Sequence, residues 1–587
     1  MPAKQRFRGR RRLQTTWALI AISALIAVVL GVVGYAEYYE ASAGNGASPS
    51  PLALLKDSVR LLLVESSTGE NFPSALRLAR FFAFLSWSAA AIKGFLTFAR
   101  KRIELARCRR QRDHAVVCGL GRLGAQLVSD LRSQDIETIV VELDAENLDI
   151  AAVRAEGIPV MVGNATSAAT LRDASAQRAR YIFAVTGNDR LNIEVASKAF
   201  EVREDYDGDD FVQRCAVHVD DFEISSLFSE RPLFRDRTER FDAHFFNVNR
   251  LAARVVIDRY PPDRFQSVHG PDDPAASIMV FGSDALAQQI VTQIARVGHY
   301  GNKKKPVVRL VPGDESGFSR FIEKRIPALG EFLDLRIDDA TDLESLLRDD
   351  DLLEKVVSER PPSVVYICLK DAVSSLRLVA GLQRINATED LHIVVCAEER
   401  SDYTLLAPSP EGQGDLDFAL FDVMRDVCTV ENVMREKLDD LAKAIHQDYV
   451  ARQKELGYSV ETNSTLVDWY SLPPGLREAN RHQADYIPVK LRVLGYDPPK
   501  SVPAEDLKLS PEQLDLVAEL EHRRWMAAKR LAGWRYTSGH KDVAKRIAPT
   551  MVGWEALTEE EKEKDRDTAR ELPRLVQMKL AIDSEQT

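Results

Sequence analysis

The residues best equipped for chemistry are Gly119, Gly121 and Gly124, set in the run Gly119-Leu120-Gly121-Arg122-Leu123-Gly124. A short β-branched run, Ala115-Val116-Val117, precedes them, and Leu123, Leu127 and Leu131 follow at a helical spacing of four. That order predicts strand, glycine loop, helix. Gly119 permits a tight turn, Gly121 lets backbone approach a pyrophosphate, and Gly124 lets the helix pack on the strand. The first turn of the helix, with the N–H groups of Arg122, Leu123 and Gly124 and the positive end of its dipole, is suited to a phosphate. The next β-branched run, Thr138-Ile139-Val140-Val141-Glu142, ends in an acid 18 residues beyond Gly124. Such units place an acceptor for a ribose hydroxyl about there.

A third strand is expected over 159–166, ending in Asn164-Ala165-Thr166, and a fourth over 181–185, running into Thr186-Gly187-Asn188-Asp189. Small polar residues at strand C-termini suit the ligand edge of an open parallel sheet. With these motifs in register, residues 114 to about 255 resemble the nucleotide-binding regulator-of-K+-conductance (RCK, or Trk potassium-uptake N-terminal) domain. The shared pieces are GLGRLG, VVELD, VGNAT, AVTGNDRLN and FFNVNRLAARVV. The resemblance implies a Rossmann sheet binding NAD(H) or an adenine nucleotide through Gly119, Gly121, Arg122, Leu123, Gly124, Glu142, Asp144, Asn164, Ala165, Thr166 and Thr186. The family usually has Asp where Asn164 stands.

A second group of candidate ligand residues lies near the C-terminus. Glu519-Leu520-Glu521-His522-Arg523-Arg524-Trp525-Met526, then Gly533-Trp534-Arg535-Tyr536, then Pro549 to Leu557 resemble the ryanodine-receptor (RyR) repeat domain. An upstream echo, Glu478-Ala479-Asn480-Arg481, suggests two helical halves with a cleft between them. Asn480, Arg481, His522, Arg523, Trp525, Trp534 and Tyr536 would then offer cations for phosphate and rings for stacking. His522 has no metal-ligand companion at a useful spacing, and no metal is predicted.

These sites need elements to hold them. The expected architecture is α/β: an N-terminal transmembrane helical hairpin (1–112), two tandem Rossmann-like parallel-sheet domains (113–265 and 270–430), and a C-terminal all-α RyR-like domain (431–587). The second sheet is read from Ser277-Ile278-Met279-Val280-Phe281-Gly282 and apolar runs at 307–311, 364–369 and 392–396. With only Gly282 retained in its loop, its role is expected to be structural.

In the hairpin, residues 13–36 carry no charge, and a second apolar stretch spans 74–98. Each is long enough to cross a bilayer, which needs about 20 residues. Basic clusters flank both on their outer sides, so the positive-inside rule expects a two-pass protein of the inner membrane with both termini and all large domains in the cytoplasm. Residues 51–64 can form a short amphipathic helix between the spans, as in two-helix pore modules. Glu65 and Glu70 would ring the mouth of such a pore and favour cations. The following ESSTGE contains no TVGYG-type run.

Composition narrows the function further. A net charge of −11 argues against a nucleic-acid partner. Six cysteines without a CxxC pair read as buried thiols. No GxSxG, HExxH or P-loop lysine is present, so catalysis is not expected. The combined expectation is a nucleotide-gated cation (potassium-type) channel subunit or regulator, tetrameric by analogy with the channel family. The competing expectation is a membrane-anchored nucleotide or second-messenger sensor without a pore.

Overall fold

The computed structural model describes residues 3–42, 50–62, 73–208, 211–229, 231–235, 238–312, 324–338, 342–385, 391–398, 417–496 and 507–584. The chain divides into two compact units, residues 1–114 with 138–178, and residues 115–137 with 179–587.

The first unit opens with three helices, α1 (Ala3–Ser42), α2 (Pro51–Leu62) and α3 (Ser74–Cys108). Leu19–Ala41 and Ser74–Phe95 are long and apolar enough to cross a membrane. Their packing is governed by small residues. A Cβ on Gly34 would lie 2.6 Å from the backbone nitrogen of Leu76, and one on Gly31 would lie 2.9 Å from the Cβ of Ser58. Glycine therefore lets α1 approach α2 and α3 closely, the usual device where helices associate in lipid. Polar groups turn inward: Ser58 is buried, and the Tyr39 hydroxyl donates to Asp57 Oδ2 at 3.0 Å. Leu19, Leu25, Val29, Phe81, Phe84 and Trp87 point outward and are exposed. An apolar exterior around a polar seam suits hydrocarbon surroundings and would be costly in water.

Twelve short strands carry the two main sheets. β1 (Ala115–Cys118), β2 (Thr138–Glu142), β3 (Val160–Val162), β4 (Tyr181–Ala184), β5 (Gln213–His218) and β6 (Phe241–Phe246) form the first, in the order β3-β2-β1-β4-β5-β6. β7 (Ser277–Phe281), β8 (Val307–Val311), β9 (Asp334–Ile337), β10 (Val364–Ile367), β11 (His392–Ala397) and β12 (Ala419–Asp422) form the second, in the order β12-β11-β10-β7-β8-β9. Read from the other edge, the second order repeats the first strand for strand. The strand pairings are parallel. Both sheets are therefore doubly wound, with ligand edges at the strand C-termini. Every residue of β1, β7, β8 and β10 is buried, as expected for strands covered on both faces.

The helices that matter below are α4 (Arg122–Ser133), α5 (Asp189–Glu204), α6 (Val248–Arg259) and α7 (Ala285–Val297) in the sheet region. The C-terminal region contributes α8 (Asp440–Glu455), α9 (Pro474–Val493), α10 (Pro511–Leu531), α11 (Glu559–Arg570) and α12 (Leu572–Ser584). Its core joins Trp469, Ile487, Leu491, Val517 and Leu575. Reciprocal capping boxes start α10 (Ser510 with Gln513) and α11 (Thr558 with Glu561), fixing both entry points. A two-residue parallel strand pair, Arg535–Tyr536 with Ile547–Ala548, interrupts this otherwise helical region.

Candidate nucleotide site

The glycine loop has the geometry its spacing predicts. Gly119 adopts φ +106°, and a Cβ there would lie 2.6 Å from the carbonyl oxygen of Val185. A Cβ on Gly124 would run into the carbonyl oxygen of Gly119. Both glycines are thus required by the fold itself. Gly121 is different: a Cβ there meets no atom within 4 Å. It stands at the N-cap of α4, where no side chain caps the helix. Nothing in the packing demands glycine at 121, whereas close approach of an anion to the helix N-terminus would.

The second sheet supplies an internal control. Gly282 adopts φ +115°, and a Cβ there would strike the carbonyl oxygen of Cys368, so the first glycine is again structural. At the N-cap of α7 stands Asp284, whose Oδ1 accepts from the Ala287 amide at 2.8 Å. Burial pushes its carboxyl pKa up, against the hydrogen bond from Ala287 and the charge of Lys370. The helix already holds an oxygen acceptor where a phosphate would sit. Besides carrying Ala287 where the first loop has Gly124, the second loop differs in this respect, an uncapped N-terminus against a carboxylate-capped one.

Beside the glycine loop, Thr186 follows β4. Its amide and hydroxyl both donate to Asn192 Oδ1, at 2.8 and 2.7 Å, and Asn192 Nδ2 donates to the His218 carbonyl at 2.9 Å. Asp189 accepts from the amides of Asp220 and Asp221 at 3.1 and 2.9 Å, tying the end of β5 to the start of α5. Arg122 pairs with Glu398, which lies just after β11. Asn192, Asp189 and Glu398 support this edge without having been singled out by the sequence reading; only the AVTGNDRLN motif touches the first two.

In the unit that holds β2 and β3, Glu142 is buried and Oε1 accepts from the Asp144 amide at 2.8 Å. Asp144 Oδ1 accepts from the Glu146 amide at 2.9 Å. Asn164 Oδ1 accepts from both the amide and the hydroxyl of Thr166, each at 2.9 Å, closing an Asx turn, and Ala165 is buried within it. An amide side chain serves this turn as well as the carboxylate usual in the family.

The seven residues expected in a C-terminal cleft fall into separate groups. Arg481 lies among carboxylates: Nε donates to Asp439 at 2.6 Å and NH1 to Glu478 at 2.5 Å. Asn480 donates to the Leu476 carbonyl one turn back at 3.1 Å. His522 is buried, with Nδ1 3.1 Å from Asp565 Oδ2 and Nε2 2.8 Å from the Val552 carbonyl. Its ring stacks on Trp525, centroids 5.7 Å apart. Trp534 is buried beneath Lys529, whose Nζ lies 4.8 Å over the ring, while Tyr536 is exposed. Arg523 donates to the Lys303 carbonyl at 2.7 Å. His522, Trp525 and Trp534 thus belong to one aromatic neighbourhood, and Arg481 to an ionic one. Glu65 and Glu70 lie outside the described residues.

The six cysteines are all buried and outside any disulfide. Burial pushes Cys118 and Cys428 up to about 12, which leaves them protonated and unreactive at neutral pH.

Comparison with known families agrees with this architecture. A TrkA-N domain spans residues 115–214, and an RyR domain spans residues 496–582. The chain joins these two domain types to two helices long enough to cross a membrane. Among relatives of similar sequence, Potassium channel protein 1 of Methanocaldococcus jannaschii is 22% identical over 184 residues, 31% of this chain and 49% of that protein. The match therefore spans about half the relative's length. Among solved structures, the GsuK channel bound to NAD aligns with 73% of this chain and 84% of its own at 13% identity and a TM-score of 0.39. The GsuK RCK domain aligns with 57% of this chain and 79% of its own at 12% identity and a TM-score of 0.38.

Proposed function

We propose that this chain is a membrane-bound, nucleotide-gated subunit of a potassium-type cation channel, acting by ligand linkage and not by catalysis. The observation that carries the reading is the uncapped N-terminus of α4 behind Gly121, a position where packing alone would accept a side chain. There the first-turn amides and Arg122 receive a pyrophosphate. Glu142 and Asp144 take the ribose, and Asn164 to Thr166 with Thr186 border the remaining nucleotide, NAD(H) or an adenine nucleotide. Glu398 is the group Arg122 leaves when a phosphate competes for it. A ligand that binds two arrangements of the cytoplasmic domains unequally shifts their balance, and residues 99–112, the last turns of α3 and the segment after it, carry the shift to the span at 74–95. The relative of similar sequence named as a potassium channel supports the ion class, and a tetramer is the assembly this reading expects.

The run 65–70 offers no TVGYG-type carbonyl filter, which favours a second reading, a membrane-anchored nucleotide sensor without a pore. Both readings share the glycine site. Flux measurements on the purified full chain in liposomes separate them. The channel reading expects nucleotide-dependent cation flux that disappears in Gly121→Asp. The sensor reading expects nucleotide binding, equally lost in Gly121→Asp, with no flux in either protein. Nucleotide binding that survives the substitution would remove both.

A further inference from the structure

A cavity of about 60 Å³ lies where α6, the segment around 432–439 and α9 meet. A water needs roughly 10 to 15 Å³ by this measure, so the space suits several waters or one phosphate-sized group. Its charged lining is Arg250, Arg254 and Arg481 against Glu436, Asp439 and Glu478. The pairs are mutual: Arg254 reaches Asp439 at 2.8 Å, Arg481 reaches Asp439 at 2.6 Å, and Arg250 pairs with Glu478. By itself this wall is electrically balanced.

The surroundings break the balance. Arg254 also holds Asp485, at 2.9 Å, so a fourth carboxylate is committed. Two further guanidiniums, Arg296 at the end of α7 and Arg477 in the first turn of α9, make no ion pair among the described residues. The Nε of Arg477 is buried without a hydrogen-bond partner. Arg214 joins the cluster too, reaching Glu436 and Asp242 at 3.5 Å, so six guanidiniums share five carboxylates. The excess shows in the proton affinities of three of them, whereas at Arg254 and Arg481 burial is overcome by the paired Asp485 and Asp439, which push the proton affinity up. Burial, then Arg296, Arg481 and Arg254, push Arg250 well below the usual arginine range, and burial brings Arg296 down to about 10. Burial and Arg481 lower Arg477 as well. A cation cluster in excess of its counter-ions, desolvated beside an open space, is the arrangement that takes an anion.

We infer that this junction between the first sheet domain and the C-terminal helices is a second ligand site, in which Arg250 and Arg481, backed by Arg296 and Arg477, receive a compact phosphate group. The site is separate from the glycine loop and does not depend on that loop binding anything. Its phosphate is either free or carried on a small nucleotide, and the two sources share the same chemistry.

The test uses the full chain in detergent, in buffer free of phosphate and sulfate, followed by thermal melting on titration of inorganic phosphate against chloride at equal ionic strength. The expected result is a melting temperature that rises with phosphate in the parent protein and in Gly121→Asp alike. The response should fall at least tenfold in apparent affinity in the double variant Arg296→Gln/Arg477→Gln. Neither arginine has an ion partner to strand, so this variant should melt no lower than the parent without phosphate. AMP titrated into Gly121→Asp separates the sources: a stronger response than phosphate assigns a nucleotide, an equal or weaker one assigns the free ion. No phosphate response in the parent, or an undiminished one in the double variant, would overturn the site.

Discussion

Arg254 on α6 holds Asp485 on α9 through two parallel hydrogen bonds, Nε to Oδ2 and NH2 to Oδ1, each 2.9 Å long. The two residues stand 231 positions apart in the chain. Arg254 NH1 also donates to Asp439 at 2.8 Å and NH2 to the Leu438 carbonyl at 3.1 Å, so one side chain fastens the first sheet domain to two elements of the C-terminal region. Planar, bidentate pairing of this kind is what arginine does and lysine cannot.

Replacing Arg254 by methionine keeps the stem's packing and leaves the half-buried Asp485 and the buried Asp439 each with a counter-ion missing. Breaking a buried pair from one side costs about 3 to 5 kcal/mol. Denaturant unfolding of the full chain should show that loss, and Arg254→Lys should recover only part of it. A loss below about 1 kcal/mol would mean that the network is solvated and incidental.

The glycine loop makes a sharper prediction, because its three glycines are needed for different reasons. Gly124→Ala drives a methyl into the Gly119 carbonyl and should lower stability, whereas Gly121→Ala enters open space and should leave the melting temperature nearly unchanged. If Gly121 serves ligand approach, Gly121→Ala should still weaken nucleotide binding by roughly tenfold, about 1.4 kcal/mol. Equilibrium titration with NADH or ADP measures this directly, and unaltered affinity would detach Gly121 from the site.

The contrast between the two helix N-termini can be tested by a small change. Asp284→Gly removes the carboxylate that caps α7 and should cost about 1 kcal/mol or less, since glycine is itself a tolerated N-cap. It also exposes the helix N-terminus to anions. Added phosphate should then restore part of the lost stability in Asp284→Gly and have less effect at this helix in Asp284→Asn, compared by thermal melting in a background lacking Arg296 and Arg477.

The C-terminal region should respond to pH from both directions. His522 lies between two acceptors, Asp565 and the Val552 carbonyl, and only the imidazolium donates to both. Burial opposes its charge, but the Asp565 hydrogen bond and the Val552 carbonyl raise its pKa above 6.5. A raised histidine contributes stability that is complete below 6.5 and fades as pH climbs through the folded value. Glu521 behaves oppositely. Burial opposes its charge too, yet Arg524 and Lys490 hold its pKa down to about 2, below the ordinary 4.5. Its contribution is complete above 4.5 and fades as pH falls toward 2. The melting temperature should therefore decline on both sides of mildly acidic pH, and His522→Gln should flatten the alkaline limb alone.

Much of this architecture can be read from residue order. β2 and β8 begin and end where their β-branched runs do, and the glycines declare themselves because no other residue fits φ +106° at Gly119 or the space at Gly124. β5 and β9 are harder to see. Gln213 and Arg214 open β5, and Asp334 opens β9, so neither begins as an apolar run; each is a strand because the sheet beside it needs a partner. The third strand stops at Val162, short of the expected 166, because Asn164 turns the backbone onto Thr166. The C-terminal cleft is where local pattern carries least. Nothing near Arg481 in the sequence announces that Asp439 lies 42 positions away in reach of its guanidinium, and its echo with Arg523 describes a similar helix in different surroundings.

The carboxylate of Asp284 gives the second sheet domain an anion that can never diffuse away. Whatever free energy that anion contributes is constant, whereas a helix left bare draws on the solution and gains RT ln(1 + [L]/Kd) as solute accumulates. Of two domains with one blueprint, the capped copy would then be insulated from metabolite level and the open copy tied to it. On the proposed nucleotide reading, a metabolic signal would reach this molecule as a change in one half measured against a partner whose own stability keeps still.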